Sequence, residues 1–229
     1  MKSRTTSGYG ELGRLMGLLT GDEKHGPSAT STLDVIWVLY DRILSITPAT
    51  VDDPARDRFV LSKGHGPIAY YAVLAAKGFL GEDQLAGLAS YDSRLGHHPD
   101  RLLVPGVEFS SGSLGHGLPA SVGMAHGLLV RGIGARVICL IGDAEFDEGS
   151  NSEAVVYAGG IGLANLTAVV IDNQSSSHGW SGGIGRRFAV EGWLVHEIDG
   201  RDHEAIAAAF LSTAPDAPTA VVARVEPKG

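Results

Sequence analysis

The sequence predicts an α/β fold with a doubly wound, mainly parallel sheet flanked by helices. In its second half, apolar runs of strand length alternate with helical segments, which is the pattern of parallel strands joined by crossover helices. Two consecutive runs end abruptly in polar residues, one at Asp143 and the next at Asn173. Because such sheets bind ligands at the carboxyl ends of their strands, we expect the binding site at this edge.

Apolar spacing supports the elements of the first half. Leu12, Leu15, Met16 and Leu19 form a helical stripe, and Pro67 suits the first turn of a helix. The predicted elements here are helices at 11–20 and 31–44, a strand at 58–61, a helix at 67–76 and a short helix at 82–89.

The second half opens with an irregular segment. Residues 91–114 are rich in Gly, His, Ser and Pro, and they are long for a loop, which favours a functional role. The elements that follow are a helix at 119–130, a strand at 136–141, a helix at 151–160, a strand at 166–171, a short helix ending at 191, a strand at 193–198, a helix at 204–212 and a strand at 219–225.

Composition indicates one globular domain. The 229 residues show no internal repeat and no break in composition, so we expect a flexible arm over 1–10 and a single domain over 11–229. The net charge of −8 does not favour nucleic acid as a partner. No signal peptide or membrane-spanning run is visible, so we expect no membrane association and a cytoplasmic location. The one cysteine, Cys139, lies in an apolar run and predicts a buried thiol.

The polar residues after the two strand runs predict a metal site. Asp143 and Asn173 offer oxygen ligands that suit Mg²⁺ or Ca²⁺, and Mg²⁺ is usually held by few protein ligands together with substrate phosphates. The carbonyl of Ser175 is the simplest third ligand. Alternatively, Asp143 is a helix N-cap, and Asp147 and Glu148 stabilise the start of the next helix. The pair favours a metal-diphosphate site.

Seven of the nine histidines fall in loops beside glycine or proline. Imidazole carries protons near neutral pH, so these side chains are candidates for proton transfer, although each one could instead be a capping or solvated residue. No metal-binding HxH or HExxH spacing is present, which argues against zinc or iron. His126 and His196 lie inside predicted elements and are interpreted as structural. The loop histidines are His25, His65, His97, His98, His116, His178 and His203.

A glycine-rich turn at 110–117 precedes a predicted helix and could cradle a ligand. It matches neither the P-loop nor the dinucleotide-binding pattern, which disfavours nucleotide binding by those routes. A Gly-x-Ser-x-Gly elbow is also absent, so nothing indicates a serine hydrolase.

Four segments together resemble the N-terminal, diphosphate-binding part of transketolases, which are thiamine-diphosphate enzymes. The resemblance runs from about residue 11 to residue 225 and implies the thiamine-diphosphate-binding fold. The segments are Asp-Arg-Phe-Val-Leu-Ser-Lys-Gly-His-Gly at 57–66, Gly-His-His-Pro-Asp at 96–100, the Pro-Gly-Val-Glu and glycine-rich stretch at 105–117, and the Gly-Asp…Asn motif at 142–173.

The resemblance implies how the cofactor is held. It gives Asp143, Asn173 and the carbonyl of Ser175 as ligands of Mg²⁺, with Ca²⁺ as a substitute. Backbone amides of Ala144 and Glu145 would meet the diphosphate of thiamine diphosphate. The residues expected to approach its two rings are Gly112, Ser113 and Leu114.

The resemblance also implies catalytic roles. His65 matches a histidine that contacts the cofactor, and His25 and His98 match histidines that face the substrate. Glu148 matches a glutamate at the subunit interface that relays protons between two cofactors. Two positions depart from the family pattern, since Ala144 stands where the motif has glycine and Arg201 where a histidine is common.

The family's pyrimidine-binding half, which carries its catalytic glutamate, has no counterpart in this sequence. We therefore expect one subunit of a split enzyme, whose second subunit supplies the pyrimidine-binding and C-terminal domains in a heterotetramer. The implied reaction transfers a two-carbon ketol (hydroxyacetyl) unit from a ketose donor to an aldehyde-type acceptor. The alternatives are a specialised pathway that transfers the unit to a carrier protein or an unusual sugar, and a non-catalytic cofactor-binding relic.

Overall fold

The computed structural model describes residues 7–20 and 26–227, with the backbone alone at 26–29. Its strands are β1 (Arg58–Leu61), β2 (Val137–Gly142), β3 (Leu166–Asp172), β4 (Leu194–Asp199) and β5 (Thr219–Arg224). Its helices are α1 (Leu12–Leu18), α2 (Gly26–Val38), α3 (Pro67–Ala76), α4 (Gly117–Val130), α5 (Gly149–Gly160), α6 (Gly183–Ala189) and α7 (His203–Leu211).

The five strands form one parallel sheet in the order β1-β2-β3-β5-β4. Strands β2 and β3 are buried almost throughout, which explains why both are continuous apolar runs. Successive residues of a strand face opposite sides of the sheet, so Leu140 contributes to one apolar core and Cys139 and Ile141 to the other. The predicted doubly wound, parallel α/β fold is confirmed.

Helices cover both faces of the sheet. Helices α1, α2, α3 and α7 supply one core, in which Tyr70, Tyr71 and Phe210 are buried. Helices α4, α5 and α6 supply the other, in which Phe188 is buried. No helix among the described residues has the length and apolar character that crossing a membrane requires.

The structure differs from the predicted elements at three places. The helix expected at 82–89 is wrong: only a 3₁₀ turn at Glu82–Gln84 forms, because Gly87 (φ 76°) and Ala89 (φ 61°) adopt left-handed backbone. The helix expected at 31–44 begins at Gly26 and ends in a π-helical turn at Leu39–Ile43.

The third difference concerns the end of the predicted flexible arm. Residues 7–10 are held to the fold, since the amide of Ser7 donates to the carbonyl of Ala76 at 2.9 Å and the Tyr9 hydroxyl donates to Asp34 at 2.5 Å. A 3₁₀ turn at Tyr9–Glu11 then leads into α1.

Candidate functional site

The carboxyl ends of β2 and β3 place Asp143 and Asn173 at the same edge of the sheet. The two strands pair in parallel with Gly142 opposite Ile171, and the amide of Asp143 donates to the Ile171 carbonyl at 3.1 Å. Asp143 is 1% exposed and Asn173 is 6% exposed. The two side chains that the sequence singled out therefore lie on neighbouring strand ends and are both buried.

Asn173 carries a buried oxygen without a partner. Its Oδ1 atom has no hydrogen-bond partner within the described part of the chain, and the same holds for six other buried side-chain atoms there, Asn151 Oδ1 and Asn165 Oδ1 among them. Asn173 is set apart by its place at a strand end next to that of the buried Asp143, where a bound ligand would satisfy the oxygen. A cation is the natural partner for an amide oxygen beside a buried carboxylate.

The loop after β3 folds back onto Asp143. The carboxylate accepts hydrogen bonds from the amide and the hydroxyl of Ser175, both at 2.6 Å, and from the amide of Ala144 at 2.8 Å. Gln174 has a φ of 58°, a left-handed conformation that is uncommon outside glycine and is found at functional sites. This turn brings Ser175 beside Asp143, while the role of its carbonyl as a metal ligand stays a prediction.

Asp147 holds the next part of the same loop. Its carboxylate accepts from the Ser176 hydroxyl at 2.9 Å, the Ser177 amide at 3.1 Å and the His178 amide at 3.3 Å. Desolvation opposes ionisation, but these donors outweigh it and lower the pKa of Asp147. The side chain fastens the loop of 176–178 to the turn after β2, a role that the sequence analysis missed.

The second group of predicted residues meets at the end of β1. The rings of His65 and His98 lie 5.8 Å apart, and His98 Nδ1 is hydrogen-bonded to the Gly64 carbonyl. A Cβ on Gly64 would lie 2.7 Å from the Gly112 carbonyl oxygen, and one on Gly112 would lie 3.2 Å from the His98 ring. The close approach at Gly64 and the φ of 141° at Gly112 favour glycine at both positions, and this packing joins the histidine loops to the glycine-rich turn.

Glu145 has a larger structural role than its predicted backbone contact. The side chain is 2% exposed and accepts from the Ser62 hydroxyl and the Gly115 amide, which are distant in sequence. Burial raises the pKa of this carboxyl group, and the hydrogen bonds reduce that shift only in part. The sequence analysis assigned only a backbone contact to Glu145 and did not show that its carboxylate is buried among amides.

Lys63 is a further residue that the sequence analysis did not select. Its ammonium group donates to the Ser31 hydroxyl of α2 at 2.8 Å, and its side chain passes over Gly142. Its position inside the predicted histidine loop was the available signal. The residue places a positive charge near the ends of β1 and β2.

The remaining predicted residues are less enclosed. Glu148 is exposed and precedes α5, and Ser113 and Leu114 are exposed. His25 lies outside the described residues. His203 is no longer a candidate for proton transfer, because its Nε2 atom is hydrogen-bonded to the Asp34 carboxylate at 2.8 Å.

The family of this chain follows from its similarity to known proteins. Residues 20–225 match the model of the family described as "Transketolase, thiamine diphosphate binding domain". The chain belongs to the transketolase family. The resemblance found in the sequence is thereby confirmed over nearly the whole chain.

Similar proteins include named transketolase subunits. The chain is 54% identical to Ferredoxin fas2 of Rhodococcoides fascians, over 96% of this chain and 73% of that protein. It is 34% identical to one of the subunits of apulose-4-phosphate transketolase from Actinobacillus succinogenes, over 90% and 76%. It is 36% identical to the 6-deoxy-6-sulfo-D-fructose transketolase subunit SqwG of a Clostridium species, over 81% and 70%.

Solved transketolase structures share the fold. Transketolase from Campylobacter jejuni superposes with a TM-score of 0.77 at 24% identity, which covers 95% of this chain and 38% of that one. The chain therefore spans somewhat over a third of the length of that transketolase. Thiamine diphosphate binding fits the site described above, because the transketolase family domain is defined by that cofactor.

Proposed function

We propose that the chain is the diphosphate-binding subunit of a two-chain transketolase-like enzyme, which transfers a two-carbon ketol unit from a ketose donor to an aldehyde-type acceptor. The observation that carries the proposal is the buried pair at the ends of β2 and β3, where Asn173 Oδ1 has no partner among the described residues and lies on the strand next to Asp143. Relatives that are themselves named as single subunits of a transketolase support a division of the enzyme between chains.

The residues present fit a metal-diphosphate group. We assign Asp143, Asn173 and the carbonyl of Ser175 to Mg²⁺, or to Ca²⁺ as a substitute. Backbone amides of Ala144 and Glu145 would face the diphosphate. When bound, thiamine diphosphate supplies the electron sink for cleavage next to a ketose carbonyl, and the protein supplies orientation and proton transfer.

Histidines at the end of β1 are proposed to handle the protons. His65 would contact the cofactor, and His98 would face the substrate together with His25. The hydrogen bond between His98 Nδ1 and the Gly64 carbonyl leaves the Nε2 atom of this ring to act toward a substrate hydroxyl. Glu148 is exposed, as a residue that relays protons across a subunit interface must be before assembly.

The partner would supply the pyrimidine-binding and C-terminal domains. We propose a cytoplasmic heterotetramer with such a partner, and relatives that are named as single transketolase subunits support the presence of a second chain. Gly112, Ser113 and Leu114 would meet the cofactor rings that the partner also contacts.

A second candidate differs in substrate. Two relatives are named for the unusual sugars apulose 4-phosphate and 6-deoxy-6-sulfo-fructose, which favours a specialised donor over a central-metabolism ketose. The ferredoxin among the relatives supports no iron–sulfur function here, because iron–sulfur clusters need several cysteine ligands. These 229 residues contain only Cys139, which is buried in β2.

The test is to isolate the partner by co-purification and to assay ketol transfer with a panel of ketose donors that includes apulose 4-phosphate and 6-deoxy-6-sulfo-D-fructose. We expect no transfer by this chain alone and transfer by the complex. Robust activity of the isolated chain would contradict the split enzyme. A complex that is inactive with every donor would contradict ketol transfer.

A further inference from the structure

We propose that the Glu145 carboxylate is a positioning residue that fixes the two turns facing the cofactor relative to each other. One turn, at 142–145, carries the metal ligand Asp143, and the other, at 112–117, faces the cofactor rings. The inference rests on the proposed function, because that function assigns the two turns to the two ends of thiamine diphosphate.

A single carboxylate joins three separate segments. Oε1 of Glu145 accepts from the hydroxyl of Ser62, which follows β1, and from the amide of Gly115 at 3.1 Å. Oε2 accepts from the amide of Gly142, the last residue of β2, at 3.3 Å. One carboxylate therefore accepts hydrogen bonds from three places: the residue after β1, the turn at 112–117 and the turn at 142–145.

Neighbouring contacts make this connection rigid. The Ser62 hydroxyl also accepts from the Gly117 amide at 3.0 Å, and a Cβ on Gly117 would collide with the Ser62 side chain. The Gly115 carbonyl accepts from Ser150 at 2.6 Å. On the other side, the Asn151 side-chain amide donates to the backbone carbonyl of Glu145 at 2.7 Å. The contact with Asn151 thus fixes the backbone of Glu145, and the Glu145 carboxylate in turn fixes the residues at 115–117.

The arrangement requires a carboxylate at this position. Three donors converge on two oxygen atoms, and two of these donors are backbone amides of Gly115 and Gly142. A glutamine of the same shape would set its own NH₂ group against one of these amides in either orientation. Buried amides that lose their acceptor are costly, so the turns would move apart to reach water.

Movement of these turns would be felt at the cofactor. In the turn at 112–117, the residues that face the cofactor rings immediately precede Gly115; they are Gly112, Ser113 and Leu114. In the turn at 142–145, Asp143 directly follows Gly142 and lies two residues before Glu145. Loss of the hydrogen bonds to Glu145 would therefore move the turn at 112–117 away from the metal site. The metal ligands Asp143 and Asn173 would stay in place, because they directly follow β2 and β3.

The test compares Glu145→Gln and Ser62→Ala with the wild-type chain. Amide hydrogen exchange reports on the 115–117 turn, with the β3 and β5 amides as internal reference. Binding of Mg²⁺ with inorganic diphosphate, and of Mg²⁺ with thiamine diphosphate, separates the two ends of the cofactor. Asp143→Ala serves as the control that should weaken both ligands alike.

We expect both variants to exchange the amides of Gly115 and Gly117 at least tenfold faster, with unchanged exchange in the sheet. Thiamine diphosphate affinity should fall tenfold or more and diphosphate affinity less than threefold. Unchanged exchange, or equal weakening of both ligands, would overturn the role of Glu145. Binding is measured in the complex with the co-purified partner. If the wild-type complex binds neither ligand, the proposed function fails first, and the two failures are thereby distinguished.

Discussion

At the scale of single residues, two neighbouring side chains of the candidate metal site differ in their hydrogen bonds. Asp143 accepts several hydrogen bonds from its own turn and from Ser175, whereas Asn173 Oδ1 has no partner among the residues described. A buried acceptor without a donor costs about 1–3 kcal/mol. The folded chain tolerates this cost at the point where a cation would offset it, so a change at Asn173 should affect binding far more than the stability of the unliganded chain.

Asn173→Ala tests this difference. Removal of a side chain whose oxygen has no partner among the described residues should leave the free energy of unfolding of the unliganded chain within about 1 kcal/mol of wild type, while Mg²⁺-dependent ligand binding is lost. Denaturant unfolding and calorimetry measure the two effects.

Asn165→Ala is the matched control. Asn165 precedes β3 and also has an Oδ1 atom with no partner in the described ranges, but its side-chain NH₂ group donates to the Ala125 carbonyl at 3.0 Å. This variant should lose about 1 kcal/mol of stability and retain binding. Strong destabilisation by Asn173→Ala together with intact binding would show that the asparagine is merely structural.

The sequence located some residues of the site and not others. Asp143 and Asn173 were predictable because each directly follows an apolar run, and parallel strands end at one edge. Glu145 and Asp147 were not, since their partners Ser62, Gly115 and Ser176 are about 30 to 83 positions away. Spacing along the chain does not reveal which carboxylate a distant loop will cover.

At the scale of elements, Asp57 fixes the starts of β1 and β2. Its carboxylate accepts from the backbone amide and the guanidinium of Arg136, at 2.9 and 2.6 Å, and from the Ser45 amide at 2.9 Å. Burial alone would raise the pKa of Asp57, but these donors outweigh it and lower the pKa. The ionised form is therefore favoured in the folded state.

Stability should depend on pH through this group. A lowered folded-state pKa contributes stability above the ordinary aspartate value of about 3.9, and that contribution is lost as the pH falls through the folded-state pKa. Asp57→Asn should cost about 2 kcal/mol near neutral pH, and its difference from wild type should shrink below about pH 4.

Urea unfolding between pH 3 and pH 7 measures this difference. The exposed neighbour Asp52 provides the control, since Asp52→Asn should change stability by less than about 0.5 kcal/mol at every pH. A difference between Asp57→Asn and wild type that is constant across the range would contradict the role given to the carboxylate.

Element boundaries were predictable where burial sets the pattern. The strand at 58–61 and the helix at 67–76 match the structure, because apolar positions and Pro67 mark them. The π-helical turn at Leu39–Ile43 and the left-handed residue Ala89 were not predictable. Both depend on backbone conformations that tertiary packing selects and that residue type does not encode.

At the scale of the whole molecule, the predicted site residues that follow β1, β2 and β3 lie at one edge of the sheet. Gly142 and Asp172 end β2 and β3, and β1 leads directly into the loop that holds His65. The opposite edge carries the Asp57 and Arg136 contacts. The candidate site and the Asp57 contacts therefore lie at opposite edges of the sheet.

We propose above all that this edge of the sheet binds thiamine diphosphate through a divalent cation. The most direct measurement is thermal unfolding of the chain with thiamine diphosphate, in Mg²⁺ and in EDTA, for wild type, Asp143→Ala and the exposed control Asp216→Ala. At about 100 times Kd, ligand adds about 2.7 kcal/mol, which raises Tm by about 5–10 °C for a chain of this size. We predict this rise for wild type and Asp216→Ala in Mg²⁺ only, and its loss in Asp143→Ala. An equal rise in EDTA, or in Asp143→Ala, would contradict the metal-diphosphate site.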